Sequence, residues 1–287
     1  MLALGRSLRP QEWVKNLLVF AGLLFSGQVD EGPQVLDAVL VFVGFCAMSS
    51  AGYLFNDIHD AELDRRHPEK RRRPIAAGQL SSATAAAAAA VLVAVAIAIP
   101  LLAVDPEAGG LVALYGAITS AYTLVLKRLV IIDVMTIASL FLLRVVAGAV
   151  AVEAQASEFL LLCTAMLALF LGFTKRRQEA MLEQEGGVES RPVLEHYSLP
   201  FLDQMVAMVT AAAIISYAIY AIDSPLVGSK MLATAPSVLY GVFRYLYLIY
   251  DRRDTRSTAV ILSEDPGMLF AGLTWIGSAI AVLYLFD

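Results

Sequence analysis

Residues 34–64 read QVLDAVLVFVGFCAMSSAGYLFNDIHDAELD. Apart from Gln34, Asp37 and Asn56, positions 34–56 are apolar or small, which is long enough to cross ~30 Å of hydrocarbon as a helix. The chain then turns polar without a Gly or Pro to break the helix. At about 100° per residue, Asn56, Asp60, Asp64 and Asp57 fall at about 0°, 40°, 80° and 100°, with Tyr53 at about 60°. The spacing therefore predicts one polar stripe where an apolar helix leaves the membrane. Polar groups are costly inside such a helix, so a stripe that starts within it needs a reason. Three carboxylates close together repel one another unless a cation sits between them. Mg²⁺ suits that place, because it takes one or two carboxylates and keeps positions for phosphate oxygens.

The rest of the chain repeats the apolar half of this pattern. Hydrophobic residues make up 59% of the 287 and charged residues 16%, against about 45–50% and about 25% in soluble domains. The apolar runs are too long and too rich in Ala, Leu and Val for the alternating strands of a barrel. The expectation is an all-α integral membrane protein with nine spans, near 14–28, 34–56, 82–103, 109–126, 131–152, 158–176, 201–222, 231–250 and 267–286. The Ala85–Ala90 run reads as close helix packing by small residues. No cleavable leader is expected, because Lys15 and Asn16 interrupt any early apolar core. Cys46 and Cys163 each lie in an apolar run, with no metal spacing and no disulfide framework, and read as small buried hydrophobes.

Charge is sorted by side. Arg6, Arg9 and Lys15, then Arg65, Arg66 and Lys70–Arg73, then Lys127 and Arg128, then Lys175–Arg177 and Arg191, then Arg252, Arg253 and Arg256 account for 18 of the 21 Lys and Arg. The alternate loops are short and acidic. The positive-inside rule puts the N-terminus and the basic loops in the cytoplasm. Longer loops fall on that side, which is where function is expected. Arg144 stands mid-span, where arginine needs a cavity or a partner. It reads as a lipid-phosphate anchor or as a structural pair with Asp133, eleven residues earlier on the same face. Arg244 is near enough to the interface to snorkel.

Asn56-Asp57-x-x-Asp60-x-x-x-Asp64 resembles the first Asp-rich motif of the UbiA superfamily of intramembrane prenyltransferases, and the order of spans and loops is similar along essentially the whole chain. The resemblance implies a single transmembrane domain over 1–287, with nine helices around a central cavity. The second Asp-rich motif of typical members is missing: after the sixth span stand Lys175, Arg176 and Arg177, followed by Gln178 and Glu179. That basic patch is poor for a second Mg²⁺ and good for a bare phosphate. Arg9-Pro10-x-x-Trp13-x-Lys15-Asn16, His67-Pro68-x-Lys70-Arg71-x-Arg73-Pro74 and Tyr122-x-x-x-x-Lys127 together resemble the polyprenyl-phosphate branch, the decaprenyl-phosphate 5-phosphoribosyltransferases.

The branch implies transfer of 5-phosphoribose from phosphoribosyl pyrophosphate (PRPP) to a polyprenyl phosphate, at the cytoplasmic face of the cell membrane, for arabinofuranosyl-lipid and cell-wall synthesis. On that reading Asn56 and Asp60 hold Mg²⁺, and Asp57, Asp60 and Asp64 form the catalytic acidic group. Lys15, Tyr53, Lys70, Arg71 and Arg73 bind PRPP, and Lys127, Arg144, Lys175 and Arg176 take the lipid phosphate. No nucleic-acid partner is expected, and a homo-oligomer stays open. The alternatives are prenyl transfer from a prenyl diphosphate to an aromatic or lipid acceptor, and, from another class, an ion transporter. Against transport, the charged motifs crowd one face.

Overall fold

The computed structural model describes all residues except 1, 27, 68–69, 185–191, 225–226, 257 and 285–287. Arg191 and Pro68 therefore lie outside the described residues. Every regular element described is helical, and the chain divides into two compact units, 1–156 and 157–287.

The first unit opens with a short helix α1 (Leu2–Ser7), a 3₁₀ helix over Pro10–Val19 and a short α2 (Phe20–Phe25). Then come α3 (Gly32–His59), α4 (Ala61–Arg66), α5 (Ser82–Ala103), α6 (Pro106–Leu124) and α7 (Ile132–Ala151). The starts are written in sequence. The Ser81 side chain accepts from the Thr84 N–H ahead of α5, and Asp105 caps α6 through the Glu107 N–H at 2.6 Å, with Pro106 at the first helical position. The alanine run lies within α5 and allows close packing on α3. A Cβ on Gly44 of α3 would stand 2.8 Å from the Pro100 ring of α5. Val41, Phe45, Met48, Val112, Tyr115 and Ala147 make the core.

The second unit holds α8 (Glu158–Gln184), α9 (Leu199–Ile222), α10 (Ala235–Tyr250), α11 (Thr258–Glu264) and α12 (Pro266–Tyr284). Ser198 caps α9, with Pro200 in its first turn. Two of its arginines are tied down. Arg244 donates to both oxygens of Asp265, at 3.0 and 2.9 Å, and this guanidinium holds the Asp265 carboxyl below its ordinary value. Arg177 bonds Asp203 at 2.6 Å and stacks on Tyr250.

Among the described residues, seven helices are long and apolar enough to cross a membrane. Two expected spans differ. The stretch 109–126 forms α6, but its Gly, Ser, Thr and Tyr residues dilute its hydropathy below that of the seven. The stretch 14–28 is not one helix: the 3₁₀ segment and α2 share it, because Trp13 and Asn16 are drawn sideways onto α3. Trp13 Nε1 donates to Ser50 Oγ at 3.0 Å and Asn16 Nδ2 to Ser49 Oγ at 3.3 Å. Cys46 is buried and Cys163 half-buried, and both are free thiols.

Candidate active site at the end of α3

Helix α3 carries Tyr53, Asn56 and Asp57 and stops at His59. Asp60 is a joint rather than a helical residue, with φ −92° and ψ 6°. Its N–H still bonds the Asn56 carbonyl at 2.9 Å, and its carbonyl accepts from Asp64 N–H at 2.8 Å. The helical course thus carries through the bend to α4.

Each carboxylate has a cation from elsewhere in the unit. Asp57 Oδ1 accepts from Arg9 Nη2 at 2.6 Å and from Arg73 Nη1 at 3.2 Å. The same Arg73 nitrogen reaches Asp64 Oδ2 at 2.7 Å. Lys127 Nζ bonds both oxygens of Asp60, at 2.9 and 2.8 Å. Asp57 and Asp64 are almost wholly buried, with side chains 2% and 5% exposed, whereas Asp60 keeps 19%. Burial pushes the Asp64 carboxyl above its ordinary value, against the opposing pull of Arg73. The repulsion expected along the stripe is therefore relieved by three basic side chains drawn from three distant parts of the sequence. Lys127, expected with the lipid-phosphate group, stands in the acidic half. It sits on the 3₁₀ turn Leu126–Arg128 that follows α6, and this turn lies at the same end of the unit as the α3 terminus.

Arg9 was missed as a site residue. Its backbone is left-handed, φ 51° and ψ 60°, although it precedes Pro10, which biases a residue toward extended backbone. Its guanidinium lies 4.8 Å from the Tyr53 ring centre as it bonds Asp57. Strain of this kind is characteristic of functional sites. The available signal was the N-terminal basic cluster just before the first apolar run. The other expected residues are scattered. Lys15 pairs with Glu12 on its own segment. The backbone N–H of Lys70 donates to His67 Nδ1, and Arg71 is exposed beside it.

Arg144 is not free in a cavity. It is 5% exposed; its Nε donates to Asn16 Oδ1 at 2.8 Å, Nη1 to the Leu140 carbonyl at 2.6 Å and Nη2 to Tyr115 Oη at 2.9 Å. The rings of Tyr115, Phe141 and Phe45 pack around the guanidinium. Asp133 is not that partner, since eleven residues of helix separate the two by ~16 Å along α7. Arg144 clamps the N-terminal segment to α6 and α7. Arg144→Met leaves the Asn16 and Tyr115 groups without their shared partner and should cost about 1–3 kcal/mol. Thermal unfolding in detergent checks this, and an unchanged midpoint would show the clamp to be idle. In the second unit, Lys175 is exposed on α8. Arg176 is 1% exposed and turns back to Glu179, so the two do not form one open patch.

Among the described residues no three His, Cys, Asp or Glu side chains gather as a metal site. For Mg²⁺, Asn56 and Asp60 offer an amide oxygen and a partly exposed carboxylate, hard donors of the right kind.

The family model described as the UbiA prenyltransferase family matches residues 16–284. The chain belongs to this family. A Corynebacterium glutamicum protein named decaprenyl-phosphate phosphoribosyltransferase is 32% identical over 287 residues, spanning 98% of this chain and 86% of that one. A Mycobacterium tuberculosis protein of the same name is 34% identical over 226 residues, 76% of this chain and 73% of that one. The structure of a UbiA homolog from Archaeoglobus fulgidus bound to GPP and Mg²⁺ is similar with a TM-score of 0.77 at 20% identity, covering 98% of this chain and 99% of that one. At that identity the likeness shows the fold.

Proposed function

We propose that this protein moves 5-phosphoribose from PRPP to a polyprenyl phosphate and releases pyrophosphate. The observation that carries the reading is the identity of 30–34% to proteins named for that transfer, over most of the chain. The geometry supports it with carboxylates and cations interleaved around Asp60, as a diphosphate donor with its metal would require.

Asn56 and Asp60 would hold Mg²⁺, which when bound neutralises charge on the departing diphosphate. Lys127 and Arg73 supply positive charge beside the same carboxylates and suit the donor's phosphates, with Arg9 and Tyr53 next to them. The acceptor's phosphate oxygen attacks C1 of the ribose as the bond from C1 to the diphosphate oxygen breaks. The bonding pair leaves with pyrophosphate, and direct attack inverts C1. A phosphate monoester is already anionic near neutral pH, so no strong general base is needed. Positioning and charge stabilisation of the leaving group carry the catalysis. The acceptor is held by its phosphate and by its hydrocarbon. A cavity of about 340 Å³ between α3, α5 and α6, lined by Met48, Gly52, Phe55, Ala90, Gly116 and Ser120, has the apolar character a chain of that kind needs.

In the same reading the segment Pro10–Phe25 and α6 join the seven long helices as membrane crossings of one domain. The N-terminus and the Asp60 site then face the cytoplasm across the cell membrane, as the sorting of Lys and Arg requires.

Purified protein with Mg²⁺, decaprenyl phosphate and PRPP should release pyrophosphate and form a phosphoribosyl lipid. Release from geranyl or longer prenyl diphosphates with an aromatic acceptor, and none from PRPP, would favour prenyl transfer instead.

A further inference from the structure

The three carboxylates of the motif are held by two kinds of cation. Asp57 and Asp64 are buried and share Arg73, with Arg9 also on Asp57. Guanidinium is rigid, always charged and locked in place by several bonds at once. Asp60 is partly exposed, and both its oxygens are taken by the single ammonium of Lys127. That ammonium is a point charge on a flexible four-carbon stem, and it stands on a surface turn between α6 and α7. The oxygens it occupies are the ones a divalent ion needs.

We infer that Lys127 and the divalent cation are alternative partners of Asp60, and that the donor's diphosphate resolves the competition by giving the displaced lysine a new anion. Asp57 takes no part in the exchange: it is a positioning carboxylate that fixes Arg9 and Arg73. Two consequences follow from charge alone. A divalent ion without diphosphate meets Asp60 already neutralised and binds weakly. A diphosphate arriving with its metal replaces one ion pair by two, so metal and diphosphate bind as a unit, and Lys127 is the residue that couples them. The inference rests on the reading of this site as a metal-diphosphate site, and it does not depend on ribose or on the lipid.

The test uses the full chain in detergent, with Mn²⁺ as the metal and inorganic pyrophosphate as the anion. Bound Mn²⁺ is read by electron paramagnetic resonance in the absence of pyrophosphate, and bound labelled pyrophosphate by equilibrium dialysis at saturating Mn²⁺. Lys127→Met should bind Mn²⁺ alone roughly three- to tenfold tighter, since it removes a competing, partly exposed ion pair. It should bind pyrophosphate about tenfold more weakly. Those shifts have opposite signs, which a merely structural lysine would not produce. Mn²⁺ affinity unchanged or weakened, or pyrophosphate affinity unchanged, overturns the exchange. Should Lys127→Met not fold, Lys127→Arg keeps the charge in a form that grips a carboxylate by two parallel bonds. It should weaken Mn²⁺ binding, and an unaltered affinity there sinks the idea. Neither probe contains phosphoribose, so a failed transfer assay with PRPP leaves this result standing, and the reverse also holds.

Discussion

Asp60→Ala should abolish the proposed transfer of phosphoribose from PRPP to a polyprenyl phosphate while the protein still folds. The substitution deletes the most exposed carboxylate of the motif, which among the described residues is held by a lysine alone. The backbone bonds that carry the helix through the bend, from Asn56 and to Asp64, use peptide groups and survive the change. Loss of Lys127's partner frees a flexible cation that can turn to water. The expected fall in rate is at least ~10³-fold, the scale seen when a main stabiliser of developing charge is removed. Product formation from labelled PRPP measures it, with helical content and the unfolding midpoint in detergent as controls. Full retained activity would refute the assignment of Asp60. Asp57→Asn makes the contrast, since that residue is expected to act through Arg9 and Arg73 rather than by touching substrate.

The second large effect is one of close backbone packing. A methyl group on Gly148 of α7 would stand 1.8 Å from the Val19 carbonyl oxygen, and one on Gly22 would stand 2.7 Å from the Ala149 backbone nitrogen. The N-terminal segment and α7 therefore touch backbone to backbone, as small residues permit between helices in a membrane. Gly148→Ala must push the segment away. The segment cannot yield at one point, because Trp13 and Asn16 anchor it to α3 and Arg144 to α7. A loss of about 3 kcal/mol is expected, the upper range for overpacking. Arg9 rides on the same segment, so donor binding should fall with stability. Gly272→Ala serves as the control. Nothing lies within 4 Å of the Cβ it adds on α12, and a helix interior gains about 0.5–1 kcal/mol from that exchange. Thermal unfolding of both variants decides the matter: equal midpoints would mean the close contact carries no strain.

Much of this was legible in residue order. The period of Asn56, Asp60 and Asp64 placed them on one side of a helix end, and the sorted loops brought the ends of α3 and α6 to a common side, where Lys127 meets Asp60. The hydropathy of 34–56 and its repeats gave the helical class and seven of the spans. What escaped was long-range pairing. Nothing near Asp57 announces that its partners are residues 9 and 73, because ion pairing across a fold leaves no periodic trace. Arg144 stood out as costly in its helix, but its partners Asn16 and Tyr115 are ordinary polar residues in two other apolar stretches. The face shared with Asp133 suggested a pair that axial rise forbids. The break of 14–28 into a 3₁₀ segment and a short helix comes from side chains captured by α3, an override of local pattern by tertiary bonds. Lys175 and Arg176 are neighbours in sequence, but adjacent residues on a helix point about 100° apart, so one faces out and the other in.

The left-handed backbone of Arg9 has a meaning for anyone who would make this protein sturdier. Glycine is the residue that backbone prefers, and it would release strain on the order of 1–2 kcal/mol. Every scheme that ranks substitutions by conformational ease would choose it, and would discard the guanidinium that Asp57 and Tyr53 hold. Robustness and performance pull in opposite directions at that position, and a search for hardier variants should begin by leaving it alone.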